Sequence, residues 1–188
     1  MQTAFERALE FTLQFEGGYV NDPADRGGET NFGISKRAHP TVDIKNLTRE
    51  GASTIYFVHY WRKIGGESLA PATATAVFDF AVNSGVPRAS RALQRAIGTR
   101  ADGDVGPNTL QAAQTILSGP RSTQDPWMAH ETTQHAVQRL RDHALAHHIQ
   151  SQRIRLLTGF VAAQPTQAKF LRGWMNRVME LTRLIEAI

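Results

Sequence analysis

Cysteine is missing altogether from the 188 residues. Disulfides, zinc–thiolate sites and thiol nucleophiles are therefore excluded, and stability has to come from packing. No stretch approaches the roughly 18 consecutive apolar residues that a membrane span needs, so stable membrane insertion is not expected. The opening segment, MQTAFERALEFTLQFEGG, carries Glu6, Arg7 and Glu10 among its apolar positions, which interrupts the apolar core a signal peptide requires. Synthesis in the cytoplasm is the expectation, with an export route needed for any target outside. Acids are the scarcer charge, 17 against 21 Lys plus Arg, and the pI is near 9.8. Such a surface favours anionic polymers: nucleic acid, anionic lipid or acidic cell-wall material. Neither a Gly-x-Ser-x-Gly nucleophile elbow nor a phosphate-cradling Gly-Lys-Ser/Thr loop occurs.

What is present is mostly helical patterning. From Thr3 to about Glu16, Gln2, Thr3, Glu6, Arg7, Glu10 and Gln14 form a polar stripe while Phe5, Ala8, Leu9, Phe11, Leu13 and Phe15 cover the rest. At about 100° per residue Glu16 falls between Phe5 and Leu9, on the apolar side. Gly17-Gly18 is expected to end the helix, because glycine takes the left-handed position past the last turn without steric cost. The turn signals up to about Ile34 predict a short irregular β-hairpin or loop. Thr48 can cap a helix running to about Trp61, Pro71 can open one ending near Asn83-Ser84-Gly85, Pro87 leads into another, and Pro107 opens a further one after an Asp-Gly turn. A long polar helical stretch, DPWMAHETTQHAVQRLRDHALAHHIQSQRIRLL, follows. A last helix over about Pro165–Ala187 sets Phe170, Leu171, Trp174, Met175, Val178, Leu181, Thr182 and Ile185 against Lys169, Arg172, Asn176, Glu180 and Arg183. The fold class is mainly α. The best seam lies at Gly85-Val86-Pro87, dividing residues 1–85 from 86–188, two parts expected to pack on one another.

A carboxylic acid on an apolar helical face loses water when that face packs, which favours its protonated form and suits it to donate a proton to a glycosidic oxygen. A second carboxylate across a cleft would then activate water or stabilise an oxocarbenium-like transition state. Asp22, Asp25 and Glu29 in the following loop are candidates. A loop cap at Glu16 and ordinary turn aspartates would account for the same residues without chemistry. Other chemistries fit less well. His130 and His135 in HETTQH are five apart, not the four a zinc-protease helix needs. His143 and His147 have the right interval but lack further ligands. Calcium at Asp102 and Asp104 fails because Ala113 stands where a calcium loop needs its bidentate glutamate. Neither a metal nor a cofactor is expected. A DNA-reading helix in LTREGASTIYFVHYWRK would bring Tyr56, Phe57, Tyr60 and Trp61 to a polar groove, so nucleic acid is not the expected partner.

EGGYVNDPADRGGETNFGIS, residues 16–35, resembles the signature of the glycoside hydrolase family 108 N-acetylmuramidases, a group that includes phage endolysins and the muramidases called secretion activators. The resemblance implies a lysozyme-like helical fold, peptidoglycan glycan strands as partner, no cofactor, and Glu16 as the catalytic acid. Phage-type lysozymes use a Glu, an Asp nine residues on and a Thr before a Gly-Ile pair, which here correspond to Glu16, Asp25 and Thr30 ahead of Gly33-Ile34. The Asp-to-Thr interval is one residue shorter in this chain, and Asp22 competes for the second-carboxylate role. FDFAVNSGVPRASRALQRAIGTRADGDVGPNTL together with KFLRGWMNRV is similar to the predicted peptidoglycan-binding domain that follows the muramidase domain in that family. By the same analogy Asn83 lines the cleft, while Tyr19 and Trp61 can stack on sugar rings. The implied role is an endolysin-like peptidoglycan hydrolase, expected to be monomeric, made in the bacterial cytoplasm and reaching the periplasm or wall through a holin or similar pore. The rival readings are a non-catalytic wall-binding or secretion-promoting module and a lytic transglycosylase.

Overall fold

The computed structural model describes residues 2–21, 28–119 and 131–188. Among them the elements are helical except for one small hairpin, the lysozyme-like, mainly α architecture expected. Helix α1 (Ala4–Phe15) starts in a capping box: the Thr3 hydroxyl accepts the Glu6 N–H at 3.2 Å, and the Glu6 carboxylate accepts the Thr3 N–H at 2.7 Å. It does not end on a left-handed glycine, since neither Gly17 nor Gly18 has a positive φ. The chain leaves the helix because Glu16 itself is extended (φ −89°, ψ 127°), its N–H still bonded to Thr12.

Strands β1 (Thr30–Asn31) and β2 (Ile34–Ser35) pair antiparallel, Thr30 opposite Ser35 and Asn31 opposite Ile34. The connecting Phe32 and Gly33 both have positive φ, 50° and 74°, as a two-residue hairpin turn of matching twist requires. Val20 adds a rung, exchanging both backbone hydrogen bonds with Thr30 at 2.8 Å. Buried Asn31 donates to the carbonyls of Ile44 and Leu47 and so fastens the hairpin to the body.

Helix α2 (Arg49–Tyr56), capped by Thr48, continues as a π-helical turn, Phe57–Trp61, closed by the Arg62 N–H on the Phe57 carbonyl at 2.9 Å. The widened turn carries Trp61 into the interior, where it is 3% exposed and packs against Phe5 and Phe78. Trp61 is therefore core and not a sugar platform. Helix α3 (Pro71–Ser84) is the axis of the molecule. With no polar stripe in PATATAVFDFAV, it is buried over the whole run Ala72–Ala81. Its N-terminus is capped in trans by Asp142, whose carboxylate accepts the N–H groups of Ala72 and Thr73 and the Thr73 hydroxyl.

Gly85 separates α3 from α4 (Val86–Ala96), which is followed by α5 (Pro107–Ser118), α6 (Glu131–Ala163) and α7 (Ala168–Glu186). A single hydrophobic core runs from Ala8 on α1 through α3 to Ile185 on α7, so the segments on either side of Gly85 share one interior. Gln94 on α4 plugs the Asp-Gly turn. Its amide nitrogen donates to the Asp102 carboxylate (2.7 Å) and the Asp104 carbonyl (2.9 Å), and its oxygen accepts the Gly103 N–H at 2.8 Å. Gln94→Ala is expected to cost about 2 kcal/mol by orphaning the buried Gly103 N–H and emptying the space Gln94 fills, read as a lower midpoint in urea unfolding. The apolar stripe of α7 is buried only at Val178, Leu181 and Ile185, with Arg177 beside them. Phe170, expected inside, is 46% exposed, because the first turns of α7 meet the end of α6 through Phe160 and Trp174 and leave their outer side open.

Candidate active site

The end of α1 delivers Glu16 into a corner formed by the hairpin, the second turn of α2 and the middle of α7. Its side chain is 20% exposed, and Oε1 accepts a hydrogen bond from Arg177 Nη1 at 2.8 Å. Glu16 thus keeps partial contact with solvent, and its charge partner lies 161 positions further along the chain. Arg177 also binds Asp79, with Nη2 on Oδ1 at 2.7 Å and Nε 3.1 Å from both oxygens, while the Phe15 ring covers the guanidinium at 5.2 Å. Asp79 in turn accepts from Arg153 Nη1 at 2.7 Å and from the Thr12 hydroxyl at 3.1 Å. Burial alone would raise the Asp79 pKa, but the two arginines outweigh it and hold the carboxyl below its ordinary range. Burial likewise acts to lower Arg177, and Asp79 with Glu16 reverses the sign and keeps it firmly cationic.

The hairpin approaches from the other side. Tyr56, buried on α2, donates its hydroxyl to the Phe32 carbonyl at 2.8 Å, which helps hold Phe32 in its left-handed conformation. Burial first, and the Glu16 carboxylate second, push both the Tyr56 and Tyr60 phenols up, so both stay protonated beside Glu16. Gly33 touches the acid directly: a Cβ there would lie 2.5 Å from Glu16 Oε2 and 2.8 Å from the Tyr56 hydroxyl. Gly33→Ala, strained at φ 74° and clashing with Oε2, is expected to destabilise the fold by about 1–3 kcal/mol, measured as a lower thermal midpoint.

Of the other expected site residues, Tyr19, Thr30 and Asn83 are among those described. Asp22 and Asp25 lie outside the described residues. Thr30 is half-buried in β1, and its hydroxyl donates to the Gly28 carbonyl at 3.3 Å. Tyr19 is 43% exposed and donates to Glu29 Oε1 at 2.8 Å, a bond that pushes its phenol up. Asn83 sits half-buried one helical turn beyond Asp79 and accepts from the Ser84 hydroxyl at 3.1 Å. No hydrogen bond joins Tyr19, Thr30 or Asn83 to Glu16 among the described residues. His143 and His147 face Glu186 across the α6–α7 pair, at 3.9 and 2.5 Å.

Residues 9–85 match the family model Glycosyl hydrolase 108, and residues 88–179 match Predicted Peptidoglycan domain. The likeness to glycosyl hydrolase 108 thus spans the segment that holds Glu16. The chain is also similar to a solved structure described as "Structure of Brucella abortus SagA", at 28% identity and a TM-score of 0.72 over 97% of this chain and 94% of that one. No curated protein matches. The two matched segments assign a peptidoglycan-related function and make the first a glycoside hydrolase domain. The glycosyl hydrolase 108 segment contributes Glu16, Thr12, Tyr56 and Asp79 to the corner, and the following segment contributes Arg153 and Arg177. Sequence reasoning missed the two arginines and Asp79. The signal for them was Asp79 itself, a lone acid in the otherwise apolar VFDFAV, which cannot be buried without a cation.

Proposed function

We propose that the chain is an N-acetylmuramidase of endolysin type, hydrolysing the β-1,4 bond between N-acetylmuramic acid and N-acetylglucosamine, with Glu16 as general acid. One observation carries the reading: Glu16 is held through Oε1 by Arg177, while Oε2 has no hydrogen-bond partner among the described residues and faces the gap under Gly33. A proton on Oε2 passes to the glycosidic oxygen as its bond to the anomeric carbon of the muramic acid breaks. Water adds to that carbon and gives up its proton to a second carboxylate, a role proposed for Asp25 with Asp22 as competitor. Thr30 helps place the water, and Tyr19 and Asn83 bind sugar. Carboxylates roughly 6.5–9.5 Å apart would invert the anomeric centre, and about 5–5.5 Å would retain it. The reaction needs neither metal nor cofactor. The protein acts as a monomer on glycan strands in the periplasm or wall, reached through a holin or similar pore.

Digestion of purified peptidoglycan, followed by reduction of the new ends and mass spectrometry, tests the bond. Reduced muramic-acid ends support a muramidase. Reduced glucosamine ends, anhydromuramic ends or freed peptides would each replace it with another activity, and no release from any wall type would favour a binding module.

A further inference from the structure

Arg177 faces two acids at once, and only one of them can move. Its Nε and Nη2 edge is fixed on Asp79, which is itself gripped by Arg153 and Thr12 in a place where Asp79 and Arg153 are completely buried. A planar guanidinium held along one edge has the direction of its remaining N–H groups determined, and here Nη1 is left aimed at Glu16 Oε1. The four groups, Arg153, Asp79, Arg177 and Glu16, sum to zero charge only while Glu16 is ionised. We infer that Arg177 is a positioning residue for the Glu16 proton transfer: it reserves Oε1, leaves Oε2 beneath Gly33 as the proton-bearing oxygen, and stabilises the carboxylate that forms as the proton departs. The role rests on the muramidase reading. It makes the segment matching the predicted peptidoglycan domain part of the catalytic unit, since both Arg153 and Arg177 come from it.

Because the Arg177 contact strengthens as negative charge develops on Glu16, it acts on turnover more than on substrate binding. Arg177→Gln is expected to lower kcat about 100-fold with KM changed by less than about threefold. Arg177→Lys should recover little of it, because an ammonium is a single point charge and cannot span Asp79 and Glu16 as the fork does. Added guanidinium ion should restore part of the turnover of Arg177→Ala. The control is Leu181→Ala, one turn along α7 and fully buried, which loses stability without touching Glu16 and should keep its kcat below its melting temperature. An Arg177→Gln kcat within about threefold of wild type, in folded protein, overturns the inference; so does an equal loss in Leu181→Ala. A double-mutant cycle of Glu16→Ala and Arg177→Ala on thermal stability reads the contact independently of turnover, and zero coupling overturns it. Wild-type protein inactive on every wall, with coupling intact, would refute the muramidase reading and the catalytic role while leaving the ion pair in place.

Discussion

Glu16→Gln is expected to lower peptidoglycan hydrolysis by about 10²–10⁴-fold while the protein stays folded and still binds walls. Glutamine is nearly isosteric, and its carbonyl oxygen can take the place of Oε1 in accepting Arg177 Nη1, so the corner keeps its shape. What is lost is the acid: an amide holds no proton to give to the leaving oxygen. The change also removes the charge from a charge-assisted hydrogen bond at a partly exposed site, a cost of about 1 kcal/mol. Initial rates of soluble muropeptide release, set beside circular-dichroism melting, separate the two effects. A variant that melts like wild type and hydrolyses at more than about a tenth of its rate would remove Glu16 from the acid role.

Asp79→Ala is expected to be the most damaging stability change, costing about 3–5 kcal/mol, because it leaves Arg153 and Arg177 buried without their counter-ion. For a chain of this length that is a fall of roughly 10 °C in melting temperature. The pH dependence has a definite sign. The folded carboxyl lies below its ordinary value, so its stabilising contribution is fully present above about pH 4 and is lost as pH falls through the lower folded value. Melting curves of wild type and Asp79→Asn should therefore lie furthest apart near neutrality and converge in acid. A constant separation from pH 7 downwards would mean that Asp79 is not held by the arginines.

Local signals in the sequence carried over well into the structure. Thr3, Thr48, Pro71 and Pro107 each mark a helix start, since a cap or a fixed proline φ acts within a few residues. The failures have non-local or subtle causes. Gly17-Gly18 looked like a left-handed stop, yet Glu16 turns the chain while its side chain is drawn to Arg177. Trp61 looked available to a sugar because the pattern does not register a π-helical turn that rotates it inward. Arg177 falls between the polar and apolar faces of α7 and belongs to neither, although it is the group that ties the last helix to Glu16. Glu16 stands out because a glutamate closing an apolar helix face is chemically conspicuous, while its expected acid role comes from the family resemblance. Its partner does not stand out, because an ion pair spanning nearly the whole chain leaves no local pattern.

If Glu16 is the acid of a hydrolysis, water is the acceptor at muramic acid. The most direct test is digestion of purified peptidoglycan in water labelled with heavy oxygen, with immediate reduction of new ends and mass spectrometry, for wild type and Glu16→Gln side by side. One heavy oxygen is expected on each new reduced muramic-acid end from the wild type, and none above background from Glu16→Gln. Unlabelled anhydromuramic ends, or equal labelling by the two proteins, would contradict it.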